Sequence, residues 1–156
     1  MWLPLTLSFF IAMATAEQVY QSCADEWLKS DNDWKHHILC KVSIFDVRDR
    51  GDAPLPSMND FVGCTFVKAG WMDNASRALN VAKIAADLKD MGYPDRQDKI
   101  GELNGRCQSI YGEKITVMNY LECLAIGPGA VREIIPMLKK REKDFFSKNH
   151  CSGVRI

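Results

Sequence analysis

Histidine is scarce in this chain: of 156 residues three are His, and two of them, His36 and His37, are adjacent and so point to different sides of a helix. No CxxC pair and no paired-histidine spacing accompanies them, which excludes the usual zinc patterns. A glycine-rich phosphate loop, a GxSxG elbow and an HExxH pair are all missing, so no common catalytic motif stands, and neither an enzyme nor a cofactor is expected. Net charge is missing too. Twenty Lys and Arg balance twenty Asp and Glu, so nothing draws the whole molecule toward nucleic acid or an anionic membrane. No alternating strand pattern and no internal repeat occurs. Beyond residue 16 no apolar run approaches the length needed to span a bilayer.

What is present begins with the amino terminus. Trp2 to Met13 is almost continuously apolar, and Ala14-Thr15-Ala16 reads as a small-x-small cleavage site. Residues 1–16 are therefore expected to be a signal peptide cut before Glu17, although the only positive charge ahead of the apolar run is the α-amino group. Residues 17–156 suit one secreted, monomeric domain, large enough to bury roughly 68–70% of its unfolded surface. All six cysteines follow the cut: Cys23, Cys40, Cys64, Cys107, Cys123 and Cys151. An even number in a secreted chain implies three disulfides, for which fifteen pairings exist.

The most apolar segment of that domain is Ser57–Trp71, SMNDFVGCTFVKAGW. Only Asp60 and Lys68 are charged, and on a helix they fall about 80° apart, leaving one narrow sector for water. A helix apolar nearly all round belongs in the interior. Phe61, Phe66 and Trp71 give it more aromatic surface than a two-layer bundle needs, and they are candidates to line a cavity. Around it the periodicity predicts helices over Glu17–Ser30, Trp34–Phe45, Arg77–Met91, Pro94–Ile110, Thr116–Ile126 and Ala130–Asn149, with Pro136 kinking the last. The whole reads as an all-α, disulfide-stapled bundle of about seven helices.

Three local features stand out from that framework. Arg50-Gly51-Asp52 lies in a loop rich in Gly and Pro. Asn74-Ala75-Ser76 is a glycosylation sequon that also reads as a helix cap. Lys139 to Lys143 (KKREK) is a basic cluster near a helix end, where cations suit the macrodipole and a solvated face is the plainest reading; an anionic ligand or protein surface is the functional one. Glu133 and Glu142 are single carboxylates whose plainest reading is likewise a solvated face.

The cysteine spacing carries a resemblance. Sixteen, 23, 42, 15 and 27 residues separate successive cysteines. Insect odorant-binding proteins are similarly small, secreted, helical and three-bridged, but have three residues between the second and third cysteines and eight between the fifth and sixth. With FVGCTFVKAGW around Cys64, a helix ending KDMGY, and NYLECL around Cys123, this chain resembles the short salivary D-seven proteins of mosquitoes and related blood-feeding flies, a branch of the odorant-binding superfamily. The resemblance spans residues 17–156. It implies seven or eight helices around a central pocket and the pairs Cys23–Cys64, Cys40–Cys151 and Cys107–Cys123. It also implies sequestration of host mediators at the bite (serotonin, histamine and catecholamines, or lipid mediators in some related domains) and, in some members, interference with contact activation of clotting.

The family's amine-binding residues carry over poorly. An acid is expected directly after the first cysteine, where Ala24 stands and Asp25 follows. An Arg is expected three residues after the second cysteine, where there is Ser43, and a His three before the third, where there is Phe61. The Tyr expected just before the fifth cysteine is displaced to Tyr120, and of the later Asp-x-x-Glu pair only Glu142 remains, among Lys139, Lys140, Arg141 and Lys143. A desolvated amine needs a carboxylate partner. The expectation is therefore a secreted salivary binder of a small host mediator, lipid-like or amphipathic rather than a simple amine, with Phe61, Phe66, Trp71, Tyr120 and Glu142 as the ligand-binding set. The alternatives are a surface-acting inhibitor of a host clotting protein and an odorant carrier. No metal, nucleic acid or membrane partner is expected.

Overall fold

The computed structural model describes residues 18–29, 33–45 and 55–154. The expected leader and its cleavage site, the turn at Ser30–Asn32 and the Arg50-Gly51-Asp52 tripeptide lie outside the described residues. Among the described residues all regular structure is helical apart from one antiparallel bridge between Met72 and Leu79. The order is α1 (Val19–Trp27), α2 (Asp33–Ser43), α3 (Leu55–Lys68), α4 (Val81–Asp90), α5 (Gln97–Tyr111), α6 (Val117–Leu121), α7 (Ile134–Arg141) and α8 (Lys143–Phe146). Among the described residues no helix is long and apolar enough to cross a membrane.

Helix α3 is the axis of the bundle, packing against α1, α2 and α6. Its Met58, Phe61, Val62 and Phe66 are buried. At about 1.5–3 kcal/mol for each such side chain, their burial outweighs the roughly 1 kcal/mol that Gly63 costs in mid-helix. The helix ends three residues before Trp71, earlier than the apolar run suggests. Gly70 takes φ +69°, the Gly70 amide donates to the Val67 carbonyl, and the Trp71 amide donates to the Phe66 carbonyl at 2.8 Å. This Schellman stop brings the Trp71 ring back onto Phe66, with centroids 5.4 Å apart. Helix α4 stops in the same way at Gly92, with the Tyr93 amide on the Leu88 carbonyl.

Three other boundaries differ from the periodicity. The sequon does not cap α4: residues 71–80 form a loop closed by the Asn80 amide on the Trp71 carbonyl at 2.7 Å, and Asn80 caps the helix by accepting from the Lys83 amide. The segment Thr116–Ile126 begins with a Thr116–Asn119 capping box but widens into a π turn over Glu122–Ile126. The last expected helix breaks at Glu142, not at Pro136. Pro136 sits in the first turn of α7, where its missing N–H has no intrahelical partner to lose. Glu142, at φ −98° and ψ 41°, separates α7 from α8.

The three disulfides join Cys23 to Cys64, Cys40 to Cys151 and Cys107 to Cys123, the pairs the resemblance implies. They tie α1 to α3, the C-terminal tail to α2, and α5 to the π turn. The tail is also held by Lys148 donating to Gln21 and by His150 stacked on Phe145, with centroids 4.3 Å apart.

Candidate functional site

Two groups of side chains meet at the centre, one aromatic and one charged. Phe61 of α3 is fully buried, its ring centroid 6.4 Å from Tyr20, 5.9 Å from Trp27 and 6.0 Å from Phe145. Tyr20 and Trp27 come from α1, one on the buried stripe and one at its last turn, and Phe145 comes from α8. The Trp27 indole N–H is buried without an acceptor among the described residues. Burial pushes the Tyr20 phenol up to about 12, against an opposing hydrogen bond with Thr65.

The charged group surrounds Arg141. Its Nη1 donates to Asp87 Oδ2 at 2.7 Å and its Nε to Glu142 Oε1 at 3.0 Å, so one guanidinium bridges two carboxylates. The Trp71 indole N–H donates to the same Asp87 oxygen at 2.6 Å, Lys83 donates to the other, and the guanidinium carbon lies 5.2 Å from the Trp71 ring centre. The second Glu142 oxygen accepts the Tyr20 backbone N–H at 3.0 Å, which stitches α1 to the α7–α8 break. The two acids respond oppositely. Burial raises both, but around Asp87 the bonds from Lys83 and Trp71 and the Arg141 charge outweigh it, and the net is below the usual aspartate value. Around Glu142 burial prevails over the Tyr20 N–H and Arg141, and the net is raised.

Of the five expected ligand residues, the structure brings four into this centre. Phe61 lies in the aromatic cluster, Phe66 under Trp71, and Trp71 and Glu142 in the network around Arg141. Tyr120 is buried on α6 but has no ring contact to the other three aromatics among the described residues. Glu142 is fully buried, not on a solvated face. The basic run is likewise divided: Arg141 turns inward, while Lys139, Lys140 and Lys143 are exposed, Lys139 lying 5.7 Å from the Phe45 ring centre. Among the described residues, surface depressions of 310, 490 and 310 Å³ open, and these are not lined by the five expected residues. Among the described residues no cluster of three His, Cys, Asp or Glu side chains is placed to hold a metal ion.

Asp87, Lys83, Tyr20 and Trp27 were not among the expected site residues. Asp87 did leave a trace, standing three residues after Ile84 and next to Leu88, on the buried stripe of α4. A carboxylate there demands a donor from another element.

No protein-family model matches the chain. Two relatives from the mosquito Aedes aegypti do. A protein described as a neutrophil recruitment protein is 40% identical over 155 residues, covering 99% of this chain and 97% of that one. The short form salivary protein D7S1 is 27% identical over 145 residues, covering 93% and 92% respectively. With matches that run nearly end to end, and with the helical three-disulfide framework, the chain belongs to the short-form D-seven salivary proteins of blood-feeding flies, within the odorant-binding superfamily.

Proposed function

We propose that this protein is a secreted salivary binder that acts through its surface on a host protein or cell-surface partner governing neutrophil recruitment, and that it does not capture simple amines. The observation behind this reading is that all four carboxylate oxygens of the central network are already bonded, to Arg141, Lys83, Trp71 and the Tyr20 amide. A cationic amine entering there exchanges one charge-assisted bond for another, each worth about 1.5–3 kcal/mol, and gains no net affinity. The described name of the 40% identical relative supplies the partner class. Calorimetry with serotonin, histamine and noradrenaline should give no submicromolar binding, and the purified protein should alter neutrophil migration. Submicromolar binding of any of the three amines would overturn the exclusion; unaltered migration beside a prolonged contact-activated clotting time would move the partner to a clotting protein.

A second reading, interior capture of a lipid-like or amphipathic mediator, is favoured by the Trp27 N–H, which has no acceptor among the described residues and whose ring lies against Phe61. Phe61→Trp separates the two readings. In a filled cluster the change is overpacking and costs roughly 1–3 kcal/mol in a urea melt. A variant of unchanged stability that no longer binds a lipid mediator would instead support the interior pocket.

A further inference from the structure

The sequon plays no part in the readings above, and the structure puts it beside a prepared surface. Asn74, Ala75 and Ser76 are exposed on a turn. The Asp73 carboxylate accepts the amides of Ala75 and Ser76, at 3.1 and 2.7 Å, and the Ser76 hydroxyl at 2.8 Å. These bonds hold Asn74 at the apex with no described hydrogen bond of its own. Arg77 then takes φ +59°, an uncommon conformation for a residue other than glycine, and its guanidinium lies across Gly63 of α3, where an added Cβ would stand 3.4 Å from Nη2. Between turn and helix runs a 310 Å³ groove lined by Asn74 and Arg77 on one side and by Asp60, Gly63, Val67 and Lys68 on the other. Asp60 and Arg77 face this groove without an ion pair among the described residues.

We infer that Asn74 is an N-glycosylation site and that the groove seats the first sugars of the glycan, with Val67 and Gly63 under the ring faces and Asp60 and Arg77 bonding the hydroxyls. The inference rests on passage through the secretory pathway. There the co-reactant is a lipid-diphosphate-linked oligosaccharide. The Asn74 side-chain nitrogen bonds to the anomeric carbon of its terminal sugar, the bond from that carbon to the diphosphate oxygen breaks, the lipid diphosphate leaves with the electron pair, and the amide gives up one proton.

Two preparations from insect cells test the site, one behind the chain's own residues 1–16 and one behind a borrowed secretory leader. Peptide mass spectrometry should find the Asn74 peptide carrying hexosamine, and Asn74→Gln should abolish the gel shift. An unmodified Asn74 peptide in protein secreted behind the borrowed leader would overturn the site. A glycan seen only with the borrowed leader would support the site while ruling against the native leader. Seating is read from a double-mutant cycle. Asn74→Gln should lower Tm in the native background and lower it less after Arg77→Asn, a substitution that suits positive φ. An equal fall in both backgrounds would overturn the seat.

Discussion

Arg141 shows how one side chain can reverse the plain reading of its neighbours. In a run of five residues carrying four cations, the guanidinium turns inward, 15% exposed, and takes Glu142, fully buried, with it. Two buried acids need the cation, and the surface run loses its one anion as a consequence. Asp87→Asn should destabilise the protein by roughly 1.5–3 kcal/mol at neutral pH, because Arg141 and Lys83 then face an amide. The pH dependence has a definite sign. Asp87 titrates below its ordinary value, so its contribution is complete above the ordinary aspartate range and is lost as pH falls through the depressed value. Glu142 titrates above its ordinary value, so folding disfavours its charged form, and its contribution improves as pH falls from the raised value toward the ordinary one. Urea melts across the acid range should therefore show Asp87→Asn with a flatter loss of stability at low pH than the native chain. Glu142→Gln should lose the improvement at mildly acidic pH. A native chain whose acid loss is unchanged by Asp87→Asn would contradict the assignment.

At the scale of elements, helix ends were harder to place than helices. Two of the displaced boundaries, at Trp71 and at Asn80, have a cause in bonds across a loop. Trp71 leaves α3 because Gly70 permits the left-handed turn and Phe66 offers both a carbonyl and a ring. Asn74 does not cap α4 because the loop is closed further on, leaving Asn80 beside the first free amides. Asn80→Ala should cost about 1 kcal/mol, within the 0.5–2 range for cap loss, whereas Asn74→Gln in unglycosylated protein should leave a denaturant midpoint almost unchanged. Pro136→Ala provides the opposite control. In the first turn of α7 it should change stability by no more than about 0.5 kcal/mol, and a large stabilisation on removing the proline would mean that it kinks the helix after all.

At the scale of the whole molecule, the covalent links divide the stability unequally. The Cys40–Cys151 bridge spans 111 residues and Cys107–Cys123 spans 16. Loop-closure entropy grows slowly with length, so replacing the first pair by Ala should cost about 4.7 kcal/mol and the second about 3 kcal/mol, within the usual 2–5 for native bridges. The long bridge also anchors the tail that places His150 on Phe145, and Phe145 on Phe61. Its loss should therefore loosen the aromatic cluster and speed amide exchange in α8 before it unfolds α5. Equal protection loss in α5 and α8 would show that the tail and the cluster are not coupled.

Residue order alone determined the class of this protein. An apolar segment at helical period, Gly at helix ends, and six spaced cysteines follow local rules and shared ancestry, and they led to an all-α bundle of the D-seven type. It also placed Phe61, Phe66 and Trp71 in the interior, since aromatics packed that densely must be buried. What it did not determine was the occupancy of that interior. Whether Glu142 faces water, a ligand or Arg141 depends on which elements converge on it: Tyr20 is 122 residues from Glu142, Asp87 is 54 from Arg141, and Trp71 is 16 from Asp87. A buried charge is settled by the donors within hydrogen-bonding distance, and those are chosen by tertiary packing, not by neighbours in the chain.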